Sequence, residues 1–216
     1  MNYKVDFHCH TLFSKDSLTQ LAKLVRTIRH RGLGRVIITD HNTITGAIAA
    51  RVLDPELIIV GEEIKTTRGE ILAAYVTEEI PRDLSPQETI KRLRDQGAFI
   101  SVSHPFDIRS GAWVLDDLLE IAPFVDAIEV FNARCMKPGA NLAALRFANE
   151  HNLPGTAGSD AHAAFELGTA CVELPQFDGP DELRKVISQG TVKGRLSPIW
   201  VHLFSRYARI KKRVAV

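Results

Sequence analysis

The sequence predicts one β/α domain whose strands close as a barrel rather than forming an open sheet. Three observations carry this. Short, nearly continuous apolar runs rich in β-formers alternate with helical patterns, as strands buried on both faces of a parallel sheet do. Polar clusters dense in histidine and carboxylate follow directly on those runs, at the strand ends where a β/α barrel gathers its working groups. The 216 residues suffice for one large domain with a sizeable core, and 45% hydrophobic and 25% charged residues are ordinary for a globular chain.

Taken in order, Tyr3 to His10 reads as the first strand. Side chains alternate along it, so His8 and His10 share one face and Cys9 takes the other, where a small buried thiol fits better than a ligand. Ser17-Leu18-Thr19-Gln20 forms a capping box, followed by Leu18, Leu21, Ala22, Val25 and Ile28 at helical spacing until Gly32. Val36–Thr39 and Leu57–Val60 are strands, and Ile71 to Val76 is a further candidate. Ser85-Pro86-Gln87-Glu88 opens a helix with proline at its first position, and Gly97 stops it. Ala98–Val102, Ala127–Phe131, Gly155–Gly158 and Ala170–Leu174 read as strands, and Asn141–His151 and Asp181–Gln189 as helices. No repeat, linker or composition break interrupts them. The expectation is seven or so strands in a domain over 1–196, then a basic extension over 197–216.

The net charge of +1 hides an asymmetry. Residues 205–216 hold Arg206, Arg209, Lys211, Lys212 and Arg213 and no acid; the 27 basic residues less these five leave 22 against 26 acidic ones in the body. An acidic body suits cation binding. The tail reads as a solvated terminal segment, with a polyanion as the rarer use. No apolar stretch reaches the roughly 18 residues of a membrane span, and Asp6 and His8 stand where a signal peptide needs an apolar core. Three widely spaced cysteines, Cys9, Cys135 and Cys171, argue against a disulfide framework and for the cytoplasm.

The clusters are Asp6-Phe7-His8-Cys9-His10, Thr39-Asp40-His41-Asn42, Gly61-Glu62-Glu63, Ser103-His104-Pro105 and Gly158-Ser159-Asp160-Ala161-His162. A lone histidine is more often a hydrogen-bonded core residue. Five at successive strand ends point to metal ligation, because neutral imidazoles converging at one rim chelate a borderline cation. His30, His151 and His202 lie elsewhere and read as ordinary. Asp6 and Asp40, just ahead of ligand histidines, read as acceptors for ligand ring N–H groups. Glu62 and Glu63 face opposite ways if the strand continues, so only one coordinates. Arg134, past the strand ending at Phe131, reads either as a forked clamp for phosphate or as a rim ion pair to Glu63, Glu129 or Asp107. Lys65 and Arg109 are weaker clamp candidates.

These motifs, in order and spanning Asp6 to Gly168, resemble those of the polymerase and histidinol phosphatase (PHP) family of metal-dependent phosphoesterases, in particular its small stand-alone members. The resemblance implies a distorted (β/α)7 barrel holding two to three divalent transition metals (Zn, Mn or Fe). By position it implies a first site of His8, His10, Glu63 and Asp160. A second would share Glu63 as a bridge and add His104, with Glu70 where many relatives have a histidine. A third would use Asp16, His41 and His162, Asp16 standing one place later than the usual acid. Clustered cations acidify water and polarise phosphoryl oxygens, so the implied reaction is hydrolysis of a phosphate ester, with Glu63, His162 and Arg134 as the candidates for catalytic duty. The substrate would be a small phosphorylated metabolite, a nucleotide or an oligonucleotide end; no membrane or protein partner is implied. Two rivals are amidohydrolase-type C–N hydrolysis, favoured by a carboxylated lysine bridge where this chain has Glu63, and a metal-binding regulatory module without turnover.

Overall fold

The computed structural model describes residues 2–107 and 112–214. Nine strands form one sheet: β1 (Asn2–Cys9), β2 (Arg35–Ile38), β3 (Ile58–Lys65), β4 (Glu70–Ala74), β5 (Phe99–Val102), β6 (Ala127–Asn132), β7 (Gly155–Gly158), β8 (Ala170–Pro175) and β9 (Thr191–Gly194). Their order is β7-β6-β5-β4-β3-β2-β1-β8-β9. The ends of β7 and β1 meet at the rim, where Asp160 N donates to His8 O (2.7 Å) and His10 N to Ala161 O (2.9 Å). Only a glycine fits at Gly158, because an added Cβ would strike His8 Cβ. The sheet is thus nearly closed, as a distorted barrel.

The sheet is less uniform than the all-parallel one expected. β1–β2–β3 and β5–β6–β7 pair parallel, but β4 runs antiparallel to both neighbours, and β8 runs antiparallel to β1 and β9. Buried strands of either orientation read as the same apolar run, so the run alone does not fix direction. The reversal matters to the site. β3 and β4 form a hairpin in which Lys65 pairs Glu70, so the start of β4 lies at the same rim as the end of β3.

Helices α1 (Leu21–His30), α2 (Thr45–Leu53), α3 (Pro86–Asp95), α4 (Leu115–Ile121), α5 (Ala140–Glu150), α6 (Pro180–Val186) and α7 (Val201–Val214) pack around the sheet. One apolar cluster, with Leu24, Ile28, Ile38, Ile58, Ile100, Val102, Ile128 and Phe147, joins strands to helices. A second gathers Phe7, Ile37, Ile59, Phe99, Leu174, Phe177 and Leu183. Burying either set removes apolar surface from water at roughly 25 cal/mol per Å². Ser85 caps α3, accepting from Glu88 N (3.2 Å) with Pro86 at the first position, as expected. The other box does not form. α1 starts at Leu21 with Gln20 before it, because Ser17 Oγ donates to the carbonyls of His162 (3.0 Å) and His10 (3.3 Å). A serine expected to cap a helix instead ties the loop carrying Asp16 to the rim.

The basic tail is not a loose segment: its basic side chains are mostly exposed, but they stand on a helix with one face packed. Ser205 to Arg213 lie on α7, whose Val201, Ser205 and Ala208 are buried against the body. Among the described residues no helix is long and apolar enough to cross a membrane, and the three cysteines are unpaired.

Candidate metal centre

The rim brings together every residue expected to ligate metal. β1 supplies His8, His10 follows directly on its end, and the loop beyond supplies Asp16. His41 follows β2, Glu63 lies near the end of β3, Glu70 opens β4, His104 follows β5, and Asp160 and His162 follow β7. Glu63 lies at the middle: its Oε2 is 3.4 Å from His8 Nε2, 3.4 Å from His10 Nε2 and 2.9 Å from His41 Nδ1. Its Oε1 is 3.2 Å from His104 Nε2 and accepts from Ser103 Oγ (3.0 Å). Asp160 Oδ1 is 3.1 Å from His10 Nε2 and 3.6 Å from His8 Nε2. Glu70 Oε2 lies 3.6 Å from His104 Nε2. Asp16 Oδ1 lies 3.4 Å from His41 Nε2 and 3.3 Å from His162 Nε2. Glu62 turns away and accepts from Ile80 N (3.1 Å).

Hydrogen bonds behind the rings fix which nitrogens carry lone pairs. His8 Nδ1 meets Glu129 Oε1 (3.0 Å) and His162 Nδ1 meets the Asp160 carbonyl (2.7 Å). Carboxylate and carbonyl only accept, so both Nδ1 atoms hold protons, and in the neutral rings it is Nε2 that carries the lone pair. His10 Nδ1 meets Ser14 Oγ (3.1 Å), whose own proton goes to Asp40 Oδ1 (2.7 Å), so His10 also presents a bare Nε2. The bare Nε2 atoms of His8 and His10 then face each other at 3.1 Å. Two lone pairs at that distance repel unless a cation or a proton lies between them.

The donor set fits divalent transition metals. Asp16 Oδ1, Glu63 Oε2 and His104 Nδ1 are buried without a hydrogen-bond partner, and the first two point into the imidazoles. Buried polar atoms of native proteins rarely stay unsatisfied. Among the described residues three groups bring ligand atoms within 4.8 Å of one another: His8, His10 and Glu63; His10, His41 and His162; and His41, Glu63 and Glu70. They overlap through His10, His41 and Glu63, as a cluster of adjacent ions requires. Imidazole donors suit a transition metal better than calcium or magnesium, and the carboxylates offset the charge of a divalent ion.

Electrostatics agree. Burial would lower the His8, His41 and His104 pKa values, but the surrounding carboxylates, Glu63 foremost, outweigh it and raise all three, His104 to about 9. Burial, then the charges of His162 and His41, press His10 down to about 3, leaving it a neutral donor. Burial and the Glu63 charge raise Glu70 to about 7. Against burial, His162 and His41 hold Asp16 far below the usual carboxylate range. The site is a negative well that a cation or protons must fill. Strained backbone accompanies it: Asp160 and His104 have φ of +51° and +21°.

Several expectations need correction. Asp6 accepts from Ser159 N and Oγ, Gly168 N and His8 N, so it shapes the β7–β1 closure instead of holding a ring N–H. Asp40 acts one step further back, through Ser14. The acceptor for the His8 ring is Glu129, named in the sequence only as a possible partner of Arg134. Its signal was a carboxylate inside an otherwise apolar strand. Arg134 pairs with Glu166 (Nε to Oε2, 3.5 Å), not with Glu63, Glu129 or Asp107, and donates to Ser205 Oγ (2.7 Å). His202 is not an ordinary tail residue, since with Ser205, Arg206 and Arg209 it carries α7 into the wall of the cavity. Arg109 lies outside the described residues. The cavity, about 630 Å³, has Asp16, His41, Glu63, Glu70, His104, Asp160 and His162 among its lining and Lys15, Lys65, Arg134, Arg206 and Arg209 around them. An acidic floor thus sits under a basic wall.

Fold and site define a class, the distorted β/α barrel with an imidazole–carboxylate centre at its rim. A family model described as PHP-associated matches residues 138–192. The uncharacterized protein MJ0417 of Methanocaldococcus jannaschii is 37% identical over 187 residues, 83% of this chain and 75% of that protein. Among solved structures, a two-domain protein from Bacteroides vulgatus containing a predicted PHP-like metal-dependent phosphoesterase superposes with a TM-score of 0.75 at 18% identity, over 90% of this chain and 65% of that one. The lesion-specific endonuclease PfuEndoQ of Pyrococcus furiosus gives 0.64 at 16% identity, over 89% and 58%. The chain belongs to the PHP domain family.

Proposed function

We propose that the protein is a metal-dependent hydrolase, and within that class a phosphoesterase cleaving a phosphate ester with water. The observation that carries this is the buried, unpartnered Glu63 Oε2 facing three imidazole nitrogens beneath a wall of lysine and arginine. Divalent ions held by His8, His10, Asp16, His41, Glu63, Glu70, His104, Asp160 and His162 would supply Lewis acidity and acidify water. The chain's own residues do the rest. Glu129, Ser14 and the Asp160 carbonyl hold ligand rings in the tautomer that offers Nε2. Glu63, central to the donor set, would offset repulsion between neighbouring cations. The Arg134 guanidinium borders the cavity with forked donors suited to non-bridging phosphoryl oxygens, its orientation set by Glu166 and Ser205. His162, which lines the cavity, would act as an acid only as the protonated ring and free of metal.

The basic wall favours anionic substrates: a small phosphorylated metabolite, a nucleotide or an oligonucleotide end. A lesion-specific endonuclease sharing the fold keeps the last within the class. The test is a screen of manganese-loaded protein against phosphomonoesters, diesters, 5′-phosphorylated oligonucleotides and amide or lactone substrates, with metal content measured in parallel. Two to three equivalents of metal and phosphate release support the reading. Less than one equivalent after reconstitution, or turnover confined to C–N or carboxylic ester bonds, overturns it.

A further inference from the structure

The α7 helix reaches the metal centre through a contact the reading above does not use. Asp16 divides its carboxylate. Oδ1 is buried, without a hydrogen-bond partner, and faces His41 and His162. Oδ2 points the other way and accepts twice from one guanidinium, Arg209 Nη2 at 3.0 Å and Nε at 3.3 Å. Three residues on, Lys212 Nζ donates to the carbonyls of Leu12 and Ser14, in the loop that carries Asp16. Farther back, Ser205 of the same helix holds Arg134. Val201, Ser205 and Ala208 seat the helix, so these contacts arrive together on one rigid element.

We infer that Arg209 is a positioning residue for the Asp16–His41–His162 ligand group, which makes the C-terminal helix part of the metal centre. This rests on the metal-dependent reading proposed above. A carboxylate turns broadly about its last torsion, which has no sharp staggered wells. Two donors from one planar group onto a single oxygen hold that torsion and keep the other oxygen toward the imidazoles. A lysine ammonium, as a point charge, fixes the oxygen but not the plane. The guanidinium charge opposes a cation at the same carboxylate. It acts from the open side, however, with the Arg209 side chain 54% exposed and screened, whereas Oδ1 lies in the buried interior. Orientation therefore outweighs repulsion, which sets the sign of the expected effect.

The experiment uses the full chain loaded with manganese. Elemental analysis and chelator competition are run on wild type, Arg209→Ala, Arg209→Lys, Asp16→Asn and the Asp16→Asn/Arg209→Ala double variant, with melting temperature read with and without metal. Arg209→Ala should weaken one equivalent at least tenfold and leave the others in place. Arg209→Lys should recover part of that affinity. Asp16→Asn should affect the same equivalent, with no further loss in the double variant. The melting temperature of metal-free Arg209→Ala should stay near wild type. Wild-type affinity or tighter binding in Arg209→Ala, while Asp16→Asn loses metal, overturns the inference and leaves the metal-dependent reading intact. A large fall in metal-free melting temperature also overturns it, as the mark of a helix that only clamps the fold. Wild-type protein that takes up no manganese overturns both.

Discussion

Replacing Glu129 by glutamine should cost metal affinity out of proportion to a change of one atom. Glu129 is 1% exposed and takes hydrogen bonds only as an acceptor: Oε1 from His8 Nδ1 (3.0 Å), Oε2 from His104 N (2.8 Å) and Asn132 Nδ2 (3.3 Å). Glutamine keeps the shape but has one acceptor and one double donor. With its oxygen toward His104 N, its NH₂ faces His8 Nδ1. The imidazole then shifts its proton to Nε2, the atom 3.4 Å from Glu63 Oε2, and has no lone pair left for a cation. With its oxygen toward His8, donor meets donor at His104 N, an unsatisfied buried group costing about 1–3 kcal/mol. Either way the ligand is lost or the loop bearing His104 shifts. Removing such a support behind a ligand typically lowers metal affinity about 10- to 100-fold, or about 1.4–2.8 kcal/mol. Chelator competition measures the affinity, and ¹⁵N NMR of the metal-free protein reads the His8 tautomer. A dissociation constant within about threefold of wild type and an unchanged tautomer would refute the reasoning.

Three further outcomes are expected. Glu63→Gln should lower metal content and turnover together, since it removes the charge nearest four imidazoles; full occupancy and rate in that variant would disqualify Glu63 as the bridge. Arg134→Ala made with Glu166→Gln, so that Glu166 is not left as a buried lone charge, should cut phosphate-ester turnover about tenfold or more with metal retained, in line with a charge-assisted hydrogen bond of about 1.5–3 kcal/mol; loss of metal instead would make Arg134 a structural rim residue. Burial raises Glu62 to about 8 against an ordinary 4.5, so the fold holds its proton where the unfolded chain has released it. Wild-type stability should fall as pH rises from 4.5 to 8, by at most about 1.4 kcal/mol per pH unit from this group, and Glu62→Gln should gain on wild type across that window and level off above it; parallel denaturation curves for the two metal-free proteins would exclude the effect.

What could be read from the sequence, and what could not, divides along physical lines. Strand alternation places His8 and His10 together and Cys9 apart from nothing more than the pleat. Strand ends of a barrel converge, so His41, Glu63, His104, Asp160 and His162 meet without knowledge of any contact. Glu70 reaches the rim for a reason the apolar run could not convey, because its strand is reversed and its beginning lies where its neighbours end. Ser17 and Asp6 depart from their local patterns, a capping box and a carboxylate beside a histidine, although both patterns have strong local meanings. Tertiary partners 145 and 153 residues away claim these side chains instead. The tail is the clearest case. Five basic residues without an acid among them read as solvated because the pairing charge is absent from the segment. It is present 193 residues earlier, at Asp16. Charge balance judged inside a window misses ion pairs whose halves come from the two ends of the chain, and the closing of the barrel at β7 and β1 brings the chain past Gly158 back to the loop after β1. The same closure that lets His8 and Asp160 share a rim therefore puts a C-terminal arginine within reach of an N-terminal ligand.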